Sequence, residues 1–201
     1  MAEEINKLGL HELIEKTNLS DDDKKKIAIH EIGHAVLALK TEGKNSVHKL
    51  SIVSRGQILG QTKIISPNEY AYFGLTTKEN LLNQIKIYYG GLIAEELYLK
   101  NISTGSSQDI EQARYICETM VRKFGMVGIT NSVSSAMKLR DNISQFKIRK
   151  IEKLQDRILR KCYKIAKKII KKNKKMFMLL YNKLLENNVL FEEDIKELIE
   201  K

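Results

Sequence analysis

Residues 27–39 are apolar or glycine except for three side chains, His30, Glu31 and His34, and they contain no proline. Such a segment predicts a helix, and a helix that is apolar on every side lies inside a fold. Two imidazoles and a carboxylate are costly there unless partners satisfy them. Any fold of this chain must therefore surround this helix and supply a cation or hydrogen-bonding groups to its polar side chains.

The two histidines have the spacing of a metal-binding pair. His30-Glu31-Ile32-Gly33-His34 is an HExxH pattern, and residues four apart on a helix are separated by about 40° around the axis and about 6 Å along it. Both imidazoles can reach one ion, for which zinc is the natural choice. Glu31 can accept a proton from an attacking water and return it to a leaving amine. The pattern predicts metal-assisted hydrolysis of amide bonds, with one zinc per chain.

The spacing leaves the third protein ligand open. The longer pattern HExxHxxGxxH is excluded, because Leu37 stands at its glycine position and Lys40 at its third histidine position. One alternative is Glu95 or Glu96, supplied by a second helix. The other is Asp109, in the first turn of a further predicted helix. Either choice leaves a position for water, as in catalytic zinc sites.

The periodicity of apolar residues predicts a mainly α fold with a small β ribbon, in which the HExxH helix is buried. Ser20 can cap this helix, which is expected to end near residue 40. Residues 47–54 and 58–65 alternate as two strands joined by a turn at 55–57, followed by an irregular loop at 66–76. Further helical patterns occupy residues 77–99, 107–124, 142–172, 174–186 and 192–199.

The chain of 201 residues is expected to form one compact unit. Residues 1–20 are predicted to be an N-terminal extension or connector, residues 21–140 the zinc-containing peptidase core, and residues 141–201 a C-terminal helical subdomain of the same domain. The long helix of that subdomain is predicted to bury one stripe, formed by Ile148, Ile151, Leu154, Ile158, Cys162, Ile165 and Ile169.

Composition and charge argue against several classes of protein. Two cysteines, Cys117 and Cys162, are too few for a disulfide framework, so a reducing, cytoplasmic location is expected. No apolar run reaches about 20 residues and no signal-peptide core is present, so the chain is expected to be neither membrane-spanning nor secreted. The net charge of +10 comes mainly from lysines, with 7 arginines and no tryptophan. A solvated lysine face is therefore expected at residues 161–175, with no nucleic acid as a partner.

Five blocks of sequence follow one another in a specific order, and together they resemble the peptidase domain of the FtsH-type ATP-dependent zinc proteases. The resemblance runs from about residue 24 to residue 126 and more faintly to the C-terminus. The blocks are Ile29-His30-Glu31-Ile32-Gly33-His34-Ala35-Val36; Val47-His48-Lys49-Leu50-Ser51-Ile52 with Arg55-Gly56 and Leu59-Gly60-Gln61-Thr62; Gly90-Gly91-Leu92-Ile93-Ala94-Glu95-Glu96-Leu97; Ser103-Thr104-Gly105-Ser106-Ser107-Gln108-Asp109-Ile110-Glu111-Gln112-Ala113; and Met120-Val121 with Phe124-Gly125-Met126.

The resemblance implies a zinc metalloendopeptidase that cleaves unfolded proteins or peptides. It assigns His30, His34 and Asp109 to the metal and Glu31 to catalysis. The resemblance gives Glu95 and Glu96 a structural role, in which one of them can orient a ligand imidazole. Within these blocks the chain departs from the family's usual residues at three positions, Ile32, Ser103 and Gln108. None of the three is a metal ligand.

The resemblance also implies partners. Members of the family carry membrane anchors and an AAA ATPase module, form hexameric rings, and hold this domain in the cytoplasm. The sequence contains no GxxxxGK[ST] phosphate loop, so ATP is not expected to bind to this chain. The expected partners are therefore polypeptide substrates, an ATPase module or subunit, and further copies of the same chain.

The alternative is a non-proteolytic adaptor or assembly module that retains the fold and the metal. An adaptor would be free to lose catalytic groups, whereas His30, Glu31, His34 and Asp109 are all present. Their presence favours the enzyme.

Overall fold

The computed structural model describes residues 19–53, 60–64, 76–127 and 145–200, apart from the side chains of residues 146 and 147. Its helices are α1 (Asp21–Thr41), α2 (Lys78–Tyr88), α3 (Gly90–Ala94), α4 (Ser107–Arg122), α5 (Gln145–Lys172), α6 (Lys174–Asn187) and α7 (Glu192–Glu200). A π-helix (Glu95–Leu99) continues α3, and a 3₁₀ turn (Thr104–Ser106) leads into α4. The strands are β1 (Val47–Ser51), β2 (Gln61–Ile64) and β3 (Val189–Phe191). The predicted fold class, mainly helical with a small β element, is confirmed.

Parts of several sequence-based predictions lie outside the described residues. They include the N-terminal extension up to residue 18, the ribbon turn at residues 55–57 with residues 54, 58–59 and 65 of the flanking strands, the loop at residues 66–75, residues 128–140 of the peptidase core, and the start of the long helix at residues 142–144. Within the described ranges, no helix is both long and apolar enough to cross a membrane.

Helix α1 begins where the sequence predicts, because Ser20 caps it. The Ser20 hydroxyl accepts a hydrogen bond from the backbone N–H of Asp23 at 3.1 Å, and acidic residues fill the first turn, where the helix dipole favours them. The second half of α1 is buried on all sides, and several of its residues have no exposed surface: Ile32, Ala35, Val36, Leu37 and Ala38. Helices α2, α3, α5 and α6 and the sheet pack around it. The helix that carries the HExxH pattern is thus the centre of the core.

Helices α1 and α3 cross where both carry glycine. A Cβ atom on Gly33 would overlap the carbonyl group of Gly90 and come within 2.8 Å of the Cβ of Ala94. A Cβ atom on Gly90 would lie 2.6 Å from the carbonyl group of Gly33 and 2.6 Å from the backbone nitrogen of His34. The two backbones can approach this closely only because neither glycine has a side chain.

The three strands form one antiparallel sheet in the order β2-β1-β3. Leu50 in β1 pairs with Thr62 in β2 and with Leu190 in β3. The sequence predicts only the first two strands, because β3 has three residues between two helices and is too short for a period to show. Strand β2 forms one edge of the described sheet.

Helix α5 buries one stripe of residues, and the stripe shifts along the helix. Ile151 is 3% exposed and Ile158 is 9% exposed, as the sequence predicts. Ile165 is 39% exposed, which contradicts its predicted place in the stripe, and Ala166 and Ile170 are fully buried instead. Beyond Ile158 the buried residues Cys162, Ala166 and Ile170 follow one another at intervals of four, and each interval of four advances by about 40° around the helix axis. The buried face therefore turns away from Ile165.

The C-terminal helices share the core with the rest of the fold. Helix α5 packs against α2, α3 and α4, and helix α6 packs against α1. The side chains of Phe177, Leu180 and Leu184 on α6 are almost fully buried. The HExxH helix is therefore enclosed from the C-terminal side as well as by its neighbours in sequence.

We expect Gly33→Ala to destabilise the fold, because the added methyl group would push α1 and α3 apart. The expected loss in the free energy of unfolding is about 3 kcal/mol, at the upper end for an overpacked core, measured by urea denaturation. Gly105→Ala is the control: an added Cβ there would meet only the Ser103 hydroxyl, at 3.2 Å, and the expected loss is below about 1 kcal/mol. Parent-like stability of Gly33→Ala would contradict the close crossing.

Candidate metal centre

Three side-chain atoms from two helices converge on one point. His30 Nε2 and His34 Nε2 on α1 lie 3.0 Å apart. Asp109 Oδ2, from the first turn of α4, lies 3.2 Å from each of them. The spacing leaves two candidates for the third ligand, a glutamate at 95–96 or Asp109. The fold brings Asp109 to the HExxH histidines.

The other nitrogen of each histidine ring is already engaged. His34 Nδ1 lies 2.8 Å from the carbonyl oxygen of Ile87; because a carbonyl only accepts, this nitrogen carries the hydrogen. His30 Nδ1 lies 2.6 Å from Glu95 Oε1 and donates to that carboxylate in the same way. With Nδ1 engaged in this way, each ring turns its Nε2 toward the other ring and toward Asp109.

Three acceptors that face one another need a positive charge between them. Their separations of 3.0–3.2 Å are close to the distance of about 3.3 Å between two ligands of a tetrahedral zinc ion bound at about 2.0–2.1 Å. Two imidazoles and one carboxylate also match the donor set of a catalytic zinc site that keeps one position for water. The residues present therefore fit a zinc ion.

The pKa shifts in this cluster also indicate that positive charge is favoured between the three side chains. Burial opposes the charged form of His30, but hydrogen bonds to Asp109 and Glu95 outweigh burial and raise its pKa to about 10. Burial also opposes ionisation of Asp109, but hydrogen bonds from His30 and His34 hold its pKa well below its ordinary value. A divalent cation would displace the proton and satisfy the same groups.

Glu95 lies behind His30 and ties it to the turn that precedes Asp109. Its side chain is almost fully buried, and its carboxylate accepts hydrogen bonds from the Ser103 backbone N–H at 2.6 Å, the Ser103 hydroxyl at 3.1 Å and the Ser106 hydroxyl at 3.3 Å. Burial raises the pKa of Glu95, but the bonds from His30 and Ser103 outweigh it and lower the pKa. Glu95 thus faces the Nδ1 side of His30, whereas Asp109 faces the Nε2 side.

Gly91 allows α3 to pass directly beside the His30 ring. A Cβ atom on Gly91 would overlap this imidazole. The two consecutive glycines of α3 therefore have separate contacts, since Gly90 touches the backbone of α1 and Gly91 touches the ring. Glu96, the other glutamate considered from the sequence, turns away from the histidines toward Tyr163 on α5.

Glu31 contacts β2 on the sheet side of α1. The Thr62 hydroxyl donates to Glu31 Oε2 at 2.6 Å and also lies 3.0 Å from the backbone oxygen of Glu31. A Cβ atom on Gly60 would lie 3.0 Å from Glu31 Oε1. The charge of Glu31 is also near enough to stabilise a protonated His30. Sequence reasoning missed Thr62 and the Ile87 carbonyl, because neither belongs to a pattern of metal-ligating or catalytic residue types.

We expect Asp109→Ala to abolish stoichiometric zinc binding, because one of the three converging acceptors is removed. Glu95→Gln should keep one zinc per chain but weaken its affinity about 10- to 100-fold, the usual effect of losing a partner behind a ligand. Competition with a chromogenic chelator measures both affinities. Asp156→Ala removes an exposed aspartate on α5 and should leave them unchanged. A larger loss in Glu95→Gln than in Asp109→Ala would reverse the two roles.

Comparison with known proteins places this chain in a family. The profile of peptidase family M41 matches residues 17–198. The chain is 33% identical over 183 residues to the ATP-dependent zinc metalloprotease FTSH 11, chloroplastic/mitochondrial, of Arabidopsis thaliana. It is 30% identical over 199 residues to the ATP-dependent zinc metalloprotease FtsH of Aster yellows witches'-broom phytoplasma (strain AYWB), and 32% identical over 198 residues to that of Bacillus subtilis (strain 168).

These alignments cover most of the chain but a smaller part of each relative. They include 90%, 99% and 90% of this chain, and 22%, 29% and 30% of the three relatives. The chain therefore spans less than a third of the length of these relatives. Because the family profile covers nearly the whole chain, the chain belongs to peptidase family M41, and the relatives cited here are named as zinc metalloproteases.

Proposed function

We propose that this chain is a zinc metalloendopeptidase unit that hydrolyses peptide bonds in unfolded polypeptides. The observation that carries the proposal is the convergence of His30 Nε2, His34 Nε2 and Asp109 Oδ2, three acceptors within 3.2 Å of one another. In this proposal His30, His34 and Asp109 hold the metal, one ion per chain. Residues 21–140 supply the site and residues 141–201 are a helical subdomain that supports it.

Zinc bound by these three side chains supplies a Lewis acid that polarises a peptide carbonyl and makes water a nucleophile near neutral pH. The chain's contribution on the ligand side is orientation. The carbonyl of Ile87 and the carboxylate of Glu95 each fix one imidazole with its Nε2 turned inward. This second layer of contacts keeps the rings from rotating and raises their basicity as ligands.

Glu31 is the proposed catalytic base and acid. Its carboxylate accepts the proton of the attacking water and then returns it to the amine of the leaving peptide. The hydrogen bond from Thr62 restrains this carboxylate, so that it need not be ordered again during each turnover.

Strand β2 is the proposed substrate-binding edge. It pairs with β1 on one side, and an extended peptide could add as a further strand on the other. Main-chain hydrogen bonds would then hold the substrate with little preference for its side chains. The hydrogen bond between Thr62 of β2 and Glu31 supports this choice, because it joins the edge strand to the proposed catalytic group.

Coupling to an AAA ATPase is part of the proposal. The cited relatives are named as ATP-dependent, whereas this sequence contains no phosphate loop. We therefore assign ATP hydrolysis to a module or subunit outside these residues, with the peptidase units assembled as a hexameric ring. The proposed location is the cytoplasm, and the free, buried thiols of Cys117 and Cys162 are compatible with a reducing compartment.

The first test is cleavage of an unfolded fluorescent casein by the purified chain without ATP. Glu31→Gln should lower the rate about 10²- to 10⁴-fold, the usual contribution of a positioned general base. It should retain one zinc per chain by metal analysis, because Glu31 is not a ligand. Glu79→Gln removes an exposed glutamate on α2 and should cleave like the parent. A zinc-loaded parent that cleaves nothing would contradict a peptidase that works alone and would favour a domain that needs its ATPase, its ring or a membrane partner.

A second prediction concerns removal of the metal. Treatment with a chelator should abolish cleavage, and added zinc should restore it. Because zinc binds the folded site, the free energy of unfolding should rise by about 2.7 kcal/mol when zinc is present at 100 times its Kd. Urea denaturation with and without zinc measures this difference. Stability and cleavage that do not depend on zinc would refute the proposed cofactor.

A further inference from the structure

Helix α5 holds the π-helix through a carboxylate outside the metal centre. Glu96, the neighbour of Glu95, accepts hydrogen bonds from the Tyr163 hydroxyl and from the Lys167 ammonium group, the latter at 2.5 Å. Tyr163 and Lys167 are four residues apart on α5, so their side chains share one face of the helix. The hydrogen bond from Lys167, followed by that from Tyr163, holds the pKa of Glu96 below its ordinary value. The carboxylate is therefore ionised where it meets both donors.

The segment held in this way carries the outer partners of both histidines. The carbonyl of Ile87, at the end of α2, accepts from His34. Glu95, at the start of the π-helix, accepts from His30. The orientation of both imidazoles therefore depends on the position of residues 87–95.

Helix α5 contacts this segment on both sides of α3. The Tyr163 ring packs edge to face against the Tyr89 ring, with the centroids 5.5 Å apart. Tyr89 comes directly before α3, and Glu96 is the second residue of the π-helix that follows it. One side chain of α5 thus touches the segment at both ends, and Lys167 adds a charged bond at the second.

The backbone of residues 95–99 needs this support more than an α-helix would. A π-helix is rare, occurs mostly as a single turn inserted in an α-helix, and recurs at functional sites. The buried carboxylate of Glu95 must nevertheless meet four donor groups at 2.6–3.3 Å. Side-chain bonds to the neighbouring residue restrict how far the π-helix can shift.

We propose that Tyr163 and Lys167 are positioning residues for the metal centre, which hold the π-helix, and through it Glu95 and His30, in the geometry that binds zinc. The inference rests on the proposed zinc site and extends it to the C-terminal subdomain. Neither residue is a ligand or a catalytic residue.

The sign of one substitution separates positioning from simple electrostatics. Lys167→Met removes a positive charge from the surroundings of the site, and this change by itself would strengthen the binding of a cation. If Lys167 positions the metal centre, the same substitution would instead weaken the binding of zinc. Lys168→Met is the matched control, because it removes the same charge from an exposed position one residue further along α5.

The experiment measures zinc affinity by chelator competition and the visible spectrum of the cobalt-substituted chain. Zinc Kd should rise about three- to tenfold in Lys167→Met and in Tyr163→Phe, less than the 10- to 100-fold expected for a direct partner of a ligand. The cobalt spectrum should change in both, and Lys167→Arg should restore both readouts because it keeps the charge and the donors. Circular dichroism confirms that each variant is folded before its affinity is compared.

Each result would support or overturn the positioning role of Tyr163 and Lys167. Weaker zinc binding and an altered cobalt spectrum in folded Lys167→Met, with parent-like behaviour of Lys168→Met, would support the inference. Unchanged or tighter binding with an unchanged spectrum in both Lys167→Met and Tyr163→Phe would overturn it and leave the proposed function intact. Failure of the parent chain to bind zinc would overturn the proposed function and this inference together.

Discussion

The burial of three acceptor atoms against one another governs this structure. His30, His34 and Asp109 turn Nε2, Nε2 and Oδ2 toward a common point, and the outer nitrogens of both imidazoles are already occupied by hydrogen bonds. In an apolar core such an arrangement is stable only with positive charge at its centre. Helix α1 can therefore remain apolar on nearly every side and still carry histidines, because the neighbouring elements satisfy their polar groups.

Glu95 connects the parts of this arrangement. It bonds to His30 on α1 and to Ser103 in the turn that leads to Asp109, so one carboxylate sets the relative position of two groups far apart in sequence. Glycines make this possible, since Gly91 leaves room for the His30 ring and Gly90 for the α1 backbone. Glu31 has a comparable connection to β2, and the proposed catalytic group and substrate-binding edge are therefore joined by a hydrogen bond.

Much of the fold could be predicted, because its signals are local. The Ser20 cap and the start of α1 follow from capping chemistry, and the long α5 follows from its apolar period. Strand β3 escapes prediction, since three residues carry no period, and Ile165 is wrongly placed because the buried stripe of α5 turns toward Ala166 and Ile170. Both errors arise from packing partners that a sequence window does not contain.

The chemistry expected of the site follows from residue types and their spacing along the chain. HExxH places two imidazoles and a carboxylate at fixed intervals on one helix, and helical geometry makes the histidines neighbours whatever the rest of the chain does. Which carboxylate meets their Nε2 atoms, and which one lies behind His30, depends on how the helices pack in three dimensions. Asp109 and Glu95 are both acidic residues near helix ends, and their roles differ because α4 and the π-helix approach α1 from different sides. Spacing along the chain cannot encode that difference, since it depends on how separate helices pack.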